Sequence, residues 1–215
     1  KKIYLLNESE GMSDLNVSAI AVTKTNVVLA GTDQGINICS ISGNKKTIAV
    51  IGPGQGLPDY IVTSIESAGN DLFWVGMQDK GFCLYDHLTK KIKTTAAING
   101  WNHGQINSMI VDDNTLWIAT QLHGLLKYNI RTDSISTVKE TGEFLSIKNL
   151  LKDNQGNIWL TSPEWGLIRT PGETLKLFPL TDPPIFEHIH TILSDKEGNI
   201  WVNDEDNRIV KYSLK

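Results

Sequence analysis

The chain has 215 residues and 23.8 kDa, with 20 Lys and Arg against 24 Asp and Glu, a net charge of -4 and a pI near 5.7. That balance argues against a nucleic-acid binder, because no basic stripe is available to displace counterions from phosphates. With 40% apolar and 20% charged residues it is globular rather than disordered, and no apolar run approaches the roughly 18 residues that cross a bilayer.

Taken in chain order, the predicted elements repeat. Residues 2–6 read as a strand standing alone. A first copy, residues 17–61, opens on Val17-Ser18-Ala19-Ile20 and continues with Leu29-Ala30-Gly31-Thr32 and then Gly35-Ile36. The second, 62–105, opens on Val62-Thr63-Ser64-Ile65 and carries Leu72-Phe73-Trp74-Val75-Gly76. The third, 106–146, shows the unit most fully. Strands are expected over 106–111, 116–120, 124–129 and 135–139, with turns at 112–115 and 131–134 and a loop at 121–123. Strand positions are β-branched or aromatic, and turn positions hold Asp, Asn and Gly.

The fourth copy, 147–188, places Asn157-Ile158-Trp159-Leu160 in the same slot, and the fifth, 189–215, has Asn199-Ile200-Trp201-Val202 there. Residues 144–151 could pass for a helical turn, but their place in the repeat makes them the start of a strand. Trp74, Trp117, Trp159 and Trp201 are separated by 43, 42 and 42 residues, and Leu29 takes the tryptophan slot of the first copy. Gly81, Gly124 and Gly166 follow the first three tryptophans by seven residues. Asp-x-x-Gly-Asn occurs at 153–157 and 195–199. There glycine supplies a positive φ and the aspartate bonds its own backbone, which makes a tight hairpin.

A period near 42 with four strands per unit is the arithmetic of a β-propeller. The expected fold is all-β, one propeller domain or segment over residues 1–215 with about five four-stranded blades. The recurring tryptophan is wide enough to fill the gap between neighbouring blades. The strand at 2–6 would complete the last blade and close a five-bladed ring. The alternative is a piece of a larger ring.

The run Asp-x-x-Gly-Asn-Ile-Trp, a short loop, Gly-Leu and then Tyr-Asn or Tyr-Asp resembles the two-component regulator propeller repeat. It stands here as Asp153, Trp159 and Gly166-Leu167; as Trp117, Gly124-Leu125 and Tyr128-Asn129; and as Trp74, Gly81 and Tyr85-Asp86. The last copy departs from it with Asn207-Arg208-Ile209, and the first lacks the tryptophan. The resemblance covers essentially the whole chain. It implies a periplasmic sensor region of a Bacteroidetes hybrid histidine kinase, a family associated with sensing glycan fragments. Ligand and partner would then be an oligosaccharide and a second copy of the parent protein, with the kinase elsewhere in that protein. No signal peptide is present in this sequence, so an export signal would lie outside it.

The loops after the second strands, and those leading into the first strands, are where a propeller usually binds ligands. They nominate Trp101, His103, Gln121, His123, Glu164 and Trp165. Trp101 and Trp165 are out of register with the core set. An exposed indole beside amides and carboxylates is a sugar platform; the plainer reading is a loop tryptophan folded on its own blade. His87, His103, His123, His188 and His190 have no ligand spacing and read as chance surface histidines, so no metal is expected. The Asp-x-x-Gly-Asn turns lack the alternating acidic ligands of a calcium loop. Asp204-Glu205-Asp206 reads as a solvated acidic loop.

Cys39 and Cys83 fall in third strands of adjacent copies and read as small core hydrophobes rather than a disulfide. No catalytic motif or cofactor signature is present. The expectation is a non-catalytic sensor and binding module. One rival is a structural or protein-interaction propeller, such as a surface component of a secretion machine. The other is an enzyme such as a lyase, for which His103, His123 and Glu164 are the nominees.

Overall fold

The computed structural model describes residues 3–141, 146–170, 189–204 and 208–213. The described residues form antiparallel sheets that follow one another along the chain, each built from strands adjacent in sequence. The fold is all-β and propeller-like. Sheet one is β1 (Val17–Val22), β2 (Val28–Thr32), β3 (Gly35–Ser42) and β4 (Lys45–Ile51). Sheet two is β5 (Val62–Gly69), β6 (Leu72–Met77), β7 (Phe82–Asp86) and β8 (Lys91–Lys93). Sheet three is β9 (Ile106–Asp112), β10 (Thr115–Thr120), β11 (Leu125–Asn129) and β12 (Ser134–Thr137). Three strands are described in sheet four, β13 (Asn149–Lys152), β14 (Ile158–Ser162) and β15 (Gly166–Thr170). Sheet five likewise has β16 (Ile189–Ser194), β17 (Ile200–Asp204) and β18 (Ile209–Tyr212). His188, Glu205 and Asp206 lie outside the described residues.

The chain divides into two compact units, Lys1–Ile106 with sheets one and two, and Asn107–Lys215 with the rest. In the first unit, Leu29 and Ile36 of sheet one pack against Val62, Phe73 and Val75 of sheet two. In the second, Trp117 and Leu125 meet Ile147, Ile158 and Leu160, and Trp159 and Leu167 meet Ile189, Ile192, Ile200 and Val202. The strand alternation explains the pattern. Successive side chains point to opposite faces, so Trp159 turns to one neighbouring sheet and Ile158 and Leu160 to the other.

Of the strand expected over residues 2–6, Lys2 lies outside the described residues, and residues 3–7 carry no strand. The segment is held to sheet one by side chains instead. Tyr4 Oη donates to the Gly43 carbonyl at 2.9 Å, and Lys46 Nζ donates to the Leu5 carbonyl at 2.7 Å and pairs with Glu10. Leu6 packs among Met12, Ala30 and Cys39. The buried Asn37 accepts from the Ser13 N–H at 2.8 Å and donates to Ser13 Oγ at 2.9 Å, fixing the entry to β1. Ile3 and Leu5 remain exposed, so the alternation that reads as a strand here marks a strap with one face on the sheet.

Both cysteines are unpaired and buried in the first unit. Burial pushes the Cys83 thiol up to about 12 and raises Cys39 as well. The thiolate is the reactive form, so neither should react with a thiol reagent in the folded protein. Labelling with a colorimetric disulfide reagent is expected to count no thiols before denaturant and both after it. Rapid native labelling would show that sheets one and two open readily.

Candidate functional site

The second strands of sheets one, three and four end in a device that the sequence reading missed. A hydroxyl three residues past the tryptophan slot ties down the following loop. Thr32 Oγ1 donates to the Gly35 carbonyl at 3.1 Å and accepts from the Gln34 N–H at 3.2 Å. Thr120 Oγ1 donates to the Gly124 carbonyl at 2.9 Å and accepts from the His123 N–H at 3.0 Å. Ser162 Oγ donates to Glu164 Oε2 at 2.6 Å and accepts from the Glu164 N–H at 3.2 Å. The recurrence of Thr32, Thr120 and Ser162 in that slot was the available signal. These bonds stiffen the loop bases and leave the tips to solvent.

In the first unit, Trp101 follows a 3-10 turn, Ala96–Ile98, whose N-cap Thr95 accepts the Ala97 N–H at 2.9 Å. The indole N–H donates to the Gly104 carbonyl at 2.9 Å. The ring stands edge-on to Phe82 at 6.1 Å and to His103 at 4.9 Å. It also lies over Gly81, where a Cβ would come within 2.9 Å of Trp101 Cδ2. Trp101 and His103 are both half-buried. The polar end of this tryptophan is therefore spent on its own loop, and its ring folds against its own sheet.

In the second unit, the loop at 121–123 exposes Gln121 and Leu122 and half-buries His123. The turn before β15 exposes Glu164, and Trp165 is 56% exposed. Trp165 thus offers an open ring beside a carboxylate oriented by Ser162. His87 is different: it is buried after β7, at the opposite end of that strand from loop 78–81. Burial and then the Lys90 ammonium, 3.3 Å from its ring nitrogens, lower its pKa. Among the described residues, no three His, Cys, Asp or Glu side chains gather as metal ligands.

The Asp-x-x-Gly-Asn turns are saturated with donors. Asp153 Oδ1 accepts the N–H groups of Gln155 and Asn157 at 2.9 and 2.8 Å. Its Oδ2 accepts Asn157 Nδ2 and the Trp159 indole N–H, each at 2.8 Å. Asp195 repeats this with Glu197, Asn199 and, at 2.8 Å, Trp201 Nε1. Four N–H groups aimed at one carboxylate leave it no lone pair for a cation. The aspartate therefore links the hairpin to the core tryptophan, a partnership that the spacing of six residues could have revealed. A second link lies across the strands. Lys127 Nζ sits 4.5 Å from the centre of the Trp117 ring, Arg169 Cζ 5.5 Å from Trp159 and Lys211 Nζ 5.3 Å from Trp201. Each cation is ten residues past its tryptophan and directly opposite it in register.

Desolvation works to raise the Asp195 pKa, but the Trp201 indole, the Asn199 donors and Lys211 outweigh it and hold it at about 2, below the ordinary 3.8. A carboxyl depressed in the folded chain stabilises it above the unfolded value, and that contribution is lost as pH falls through the folded value. Acid unfolding followed by tryptophan fluorescence is expected to show stability falling between about pH 4 and about pH 2. Asp195→Asn should flatten that limb. An unchanged limb would mean that this carboxylate contributes nothing to it.

Among the described residues of the second unit, two hollows bear on the site. One, about 230 Å³, lies between the two Asp-x-x-Gly-Asn turns and is lined by Asn154, Gln155, Lys196 and Glu197 among others. The other, about 380 Å³, is an apolar groove on sheet five lined by Thr191, Leu193, Trp201, Val202, Asn203 and Ile209.

No family model matches the chain, and no curated protein matches it. Solved structures do share the fold. One is described as the extracellular domain of a hybrid two component system, BT3049, from B. thetaiotaomicron. It has a TM-score of 0.67 and 20% identity, over 98% of this chain and 35% of that one. A second is the extracellular domain of the system BT4673 from the same organism, at TM-score 0.73 and 21% identity, over 94% of this chain and 27% of that one. A third is a catalytically inactive virginiamycin B lyase from Staphylococcus aureus with quinupristin, at TM-score 0.70 and 16% identity, over 100% and 70% of the two chains. The chain thus spans about a third or less of the length of the two-component structures it matches.

Proposed function

We propose that this chain is a non-catalytic binding module built of successive propeller blades, from the extracytoplasmic, periplasmic sensor region of a two-component regulatory system. It detects a glycan-derived oligosaccharide and relays that event to a histidine kinase elsewhere in the parent protein, through contacts of a parent homodimer. The observation that carries this reading is the fold likeness, over 94% and 98% of the chain, to domains described as extracellular parts of hybrid two component systems. The repeat motif points the same way. Fold alone does not select a ligand, so the ligand class rests on the loops.

There, Trp165 presents an exposed indole face on which the C–H face of a sugar can stack, and Glu164 beside it can accept hydroxyl hydrogens. Gln121 supplies an exposed amide of the same unit. The ligand would drive signalling by binding one arrangement of the parent protein better than another, because it shifts an equilibrium only by that difference.

Thermal unfolding against a panel of oligosaccharides tests this. A ligand present at 100 times its Kd is expected to add about 2.7 kcal/mol of stability. Trp165→Ala should abolish the shift while leaving the unliganded protein within about 0.5 kcal/mol of the parent, since an exposed side chain contributes little to folding. A panel in which no oligosaccharide moves the transition would overturn the ligand assignment.

A further inference from the structure

The first strands of sheets three and four lie side by side. Asn107 Nδ2 donates to the Ile147 carbonyl at 2.7 Å, the Leu150 N–H donates to Ser108 Oγ at 3.2 Å, and Lys152 Nζ pairs with Asp112 at 2.6 Å. Asp112 and Lys152 are each five residues past Asn107 and Ile147, so the two strands run the same way. The cation at the far end of β13 thus has its acid on β9.

Lys148, at the entry to β13, is in the opposite situation. Three successive N–H groups hold the backbone there. That of Ile147 donates to the Thr120 carbonyl at 3.0 Å, that of Lys148 to the Thr161 carbonyl at 2.8 Å, and that of Asn149 to Thr161 Oγ1 at 3.2 Å. These acceptors stand at the ends of the second strands of sheets three and four. Gln121 follows Thr120, and Ser162, which orients Glu164, follows Thr161. Lys148 therefore enters at the loop end that carries Gln121, Glu164 and Trp165. Ile147 is buried, so strand alternation turns Lys148 outward, where it is exposed. Among the described residues its ammonium has no hydrogen bond or ion pair. The same slot holds Ser18, Thr63, Asn107 and His190 in the other copies, so a permanent cation there is particular to the fourth.

We infer that Lys148 is the anion-recognising residue of the site formed by Gln121, Glu164 and Trp165, and that the saccharide bound there is acidic, with a carboxylate or sulfate fixed on its ring. This rests on the reading that the site takes a saccharide. The side chains divide the work. Trp165 offers its ring to a C–H face. Glu164, bonded through one oxygen to Ser162, accepts hydroxyl hydrogens and repels an anion placed on it. Lys148 supplies three N–H donors and a compact charge, which suits carboxylate and sulfate alike. With a net charge of -4 the chain does not attract an anion at long range, so recognition needs a local cation.

Calorimetric binding to the 215-residue protein tests this with uronate oligosaccharides, their neutral methyl esters and sulfated oligosaccharides of equal length. An acidic ligand is expected to bind at least about 10-fold more tightly than the neutral ester, with an affinity that falls as salt is added. Tighter binding of the uronate or of the sulfate then assigns the anionic group, and either supports the inference. Lys148→Gln should weaken the acidic ligand about 10–100-fold and leave the ester within about twofold, and Lys148→Arg should restore most of the loss. Lys148 is exposed, so both variants should fold as the parent does. Lys196→Gln, in the turn at the other end of sheet five, should change neither ligand. Equal affinity for acid and ester, or an acid affinity that Lys148→Gln leaves unchanged, would overturn the inference while the saccharide reading stands. Failure of every oligosaccharide, acidic and neutral, to bind would overturn the saccharide reading itself and the inference with it.

Discussion

Trp159→Ala is expected to destabilise the second unit by about 3–5 kcal/mol, the range for removing a fully buried large aromatic side chain. Trp159 is 2% exposed and packs against Leu167, Ile189, Ile192, Ile200 and Val202, so alanine opens a cavity between sheets four and five. Two further losses add to the cavity. Asp153 keeps three turn donors but loses the indole N–H, and Arg169 loses the ring beneath it.

The matching change in sheet five separates slot from environment. Trp201 has an equivalent aspartate, Asp195, and a cation in the same slot, Lys211, yet it is only half-buried and faces the open groove. Trp201→Ala should therefore cost less than half as much. Denaturant unfolding of both variants measures the contrast. Equal losses would mean that the hairpin bond, and not burial between sheets, is the main contribution of the tryptophan. A near-zero loss for Trp159 would undo the repeat register.

Gly35→Ala is the second substitution with a large expected effect, about 2–4 kcal/mol, combining backbone strain with a clash. Gly35 has φ near +108, and a Cβ there would lie 2.3 Å from the Ile51 carbonyl oxygen. That oxygen belongs to the end of β4, where Ile51 is paired with Ile36, so relief requires the two strands to part. The neighbouring Thr32 Oγ1 bond to the Gly35 carbonyl ties the other side.

Gly43→Ala is the control. Its φ of +63 is also left-handed, but a Cβ there meets nothing within 4 Å. It should cost about 1–2 kcal/mol, the left-handed term alone. Calorimetric or denaturant midpoints for the pair isolate the clash. If the two variants unfold alike, the close approach of β3 and β4 at that corner contributes nothing.

Much of the architecture was legible because its signals are local. The tryptophan spacing, the apolar starts of the first strands and the Asp-x-x-Gly-Asn hairpins placed β5, β6, β9, β10, β14 and β17 within a residue or two of where they stand. The site was less legible. Trp101 and Trp165 looked alike as loop tryptophans out of register, yet one is folded over Gly81 with its N–H donated, and the other is 56% exposed. Nothing within a few residues of either distinguishes them, because the difference lies in whether Phe82 and Gly81 leave room for a ring. The strap formed by residues 3–7 was misread for a related reason. Its alternation of Ile3, Tyr4, Leu5 and Leu6 suits a strand, but the Gly43 carbonyl and Lys46, about forty residues away, hold it by side chains and not by a ladder.

Period-two alternation, glycine and aspartate turn chemistry and a recurring indole thus suffice to write the succession of hairpins into the chain. They act between residues that are neighbours in sequence. Burial acts between sheets about forty residues apart. It is what makes Trp159 a core residue and leaves Trp201 half-open, and what spends one loop tryptophan on packing while another stays free. The same dependence leaves Leu193 and Ile209 apolar and uncovered, for a side chain is buried by what its neighbour presents and not by what it is.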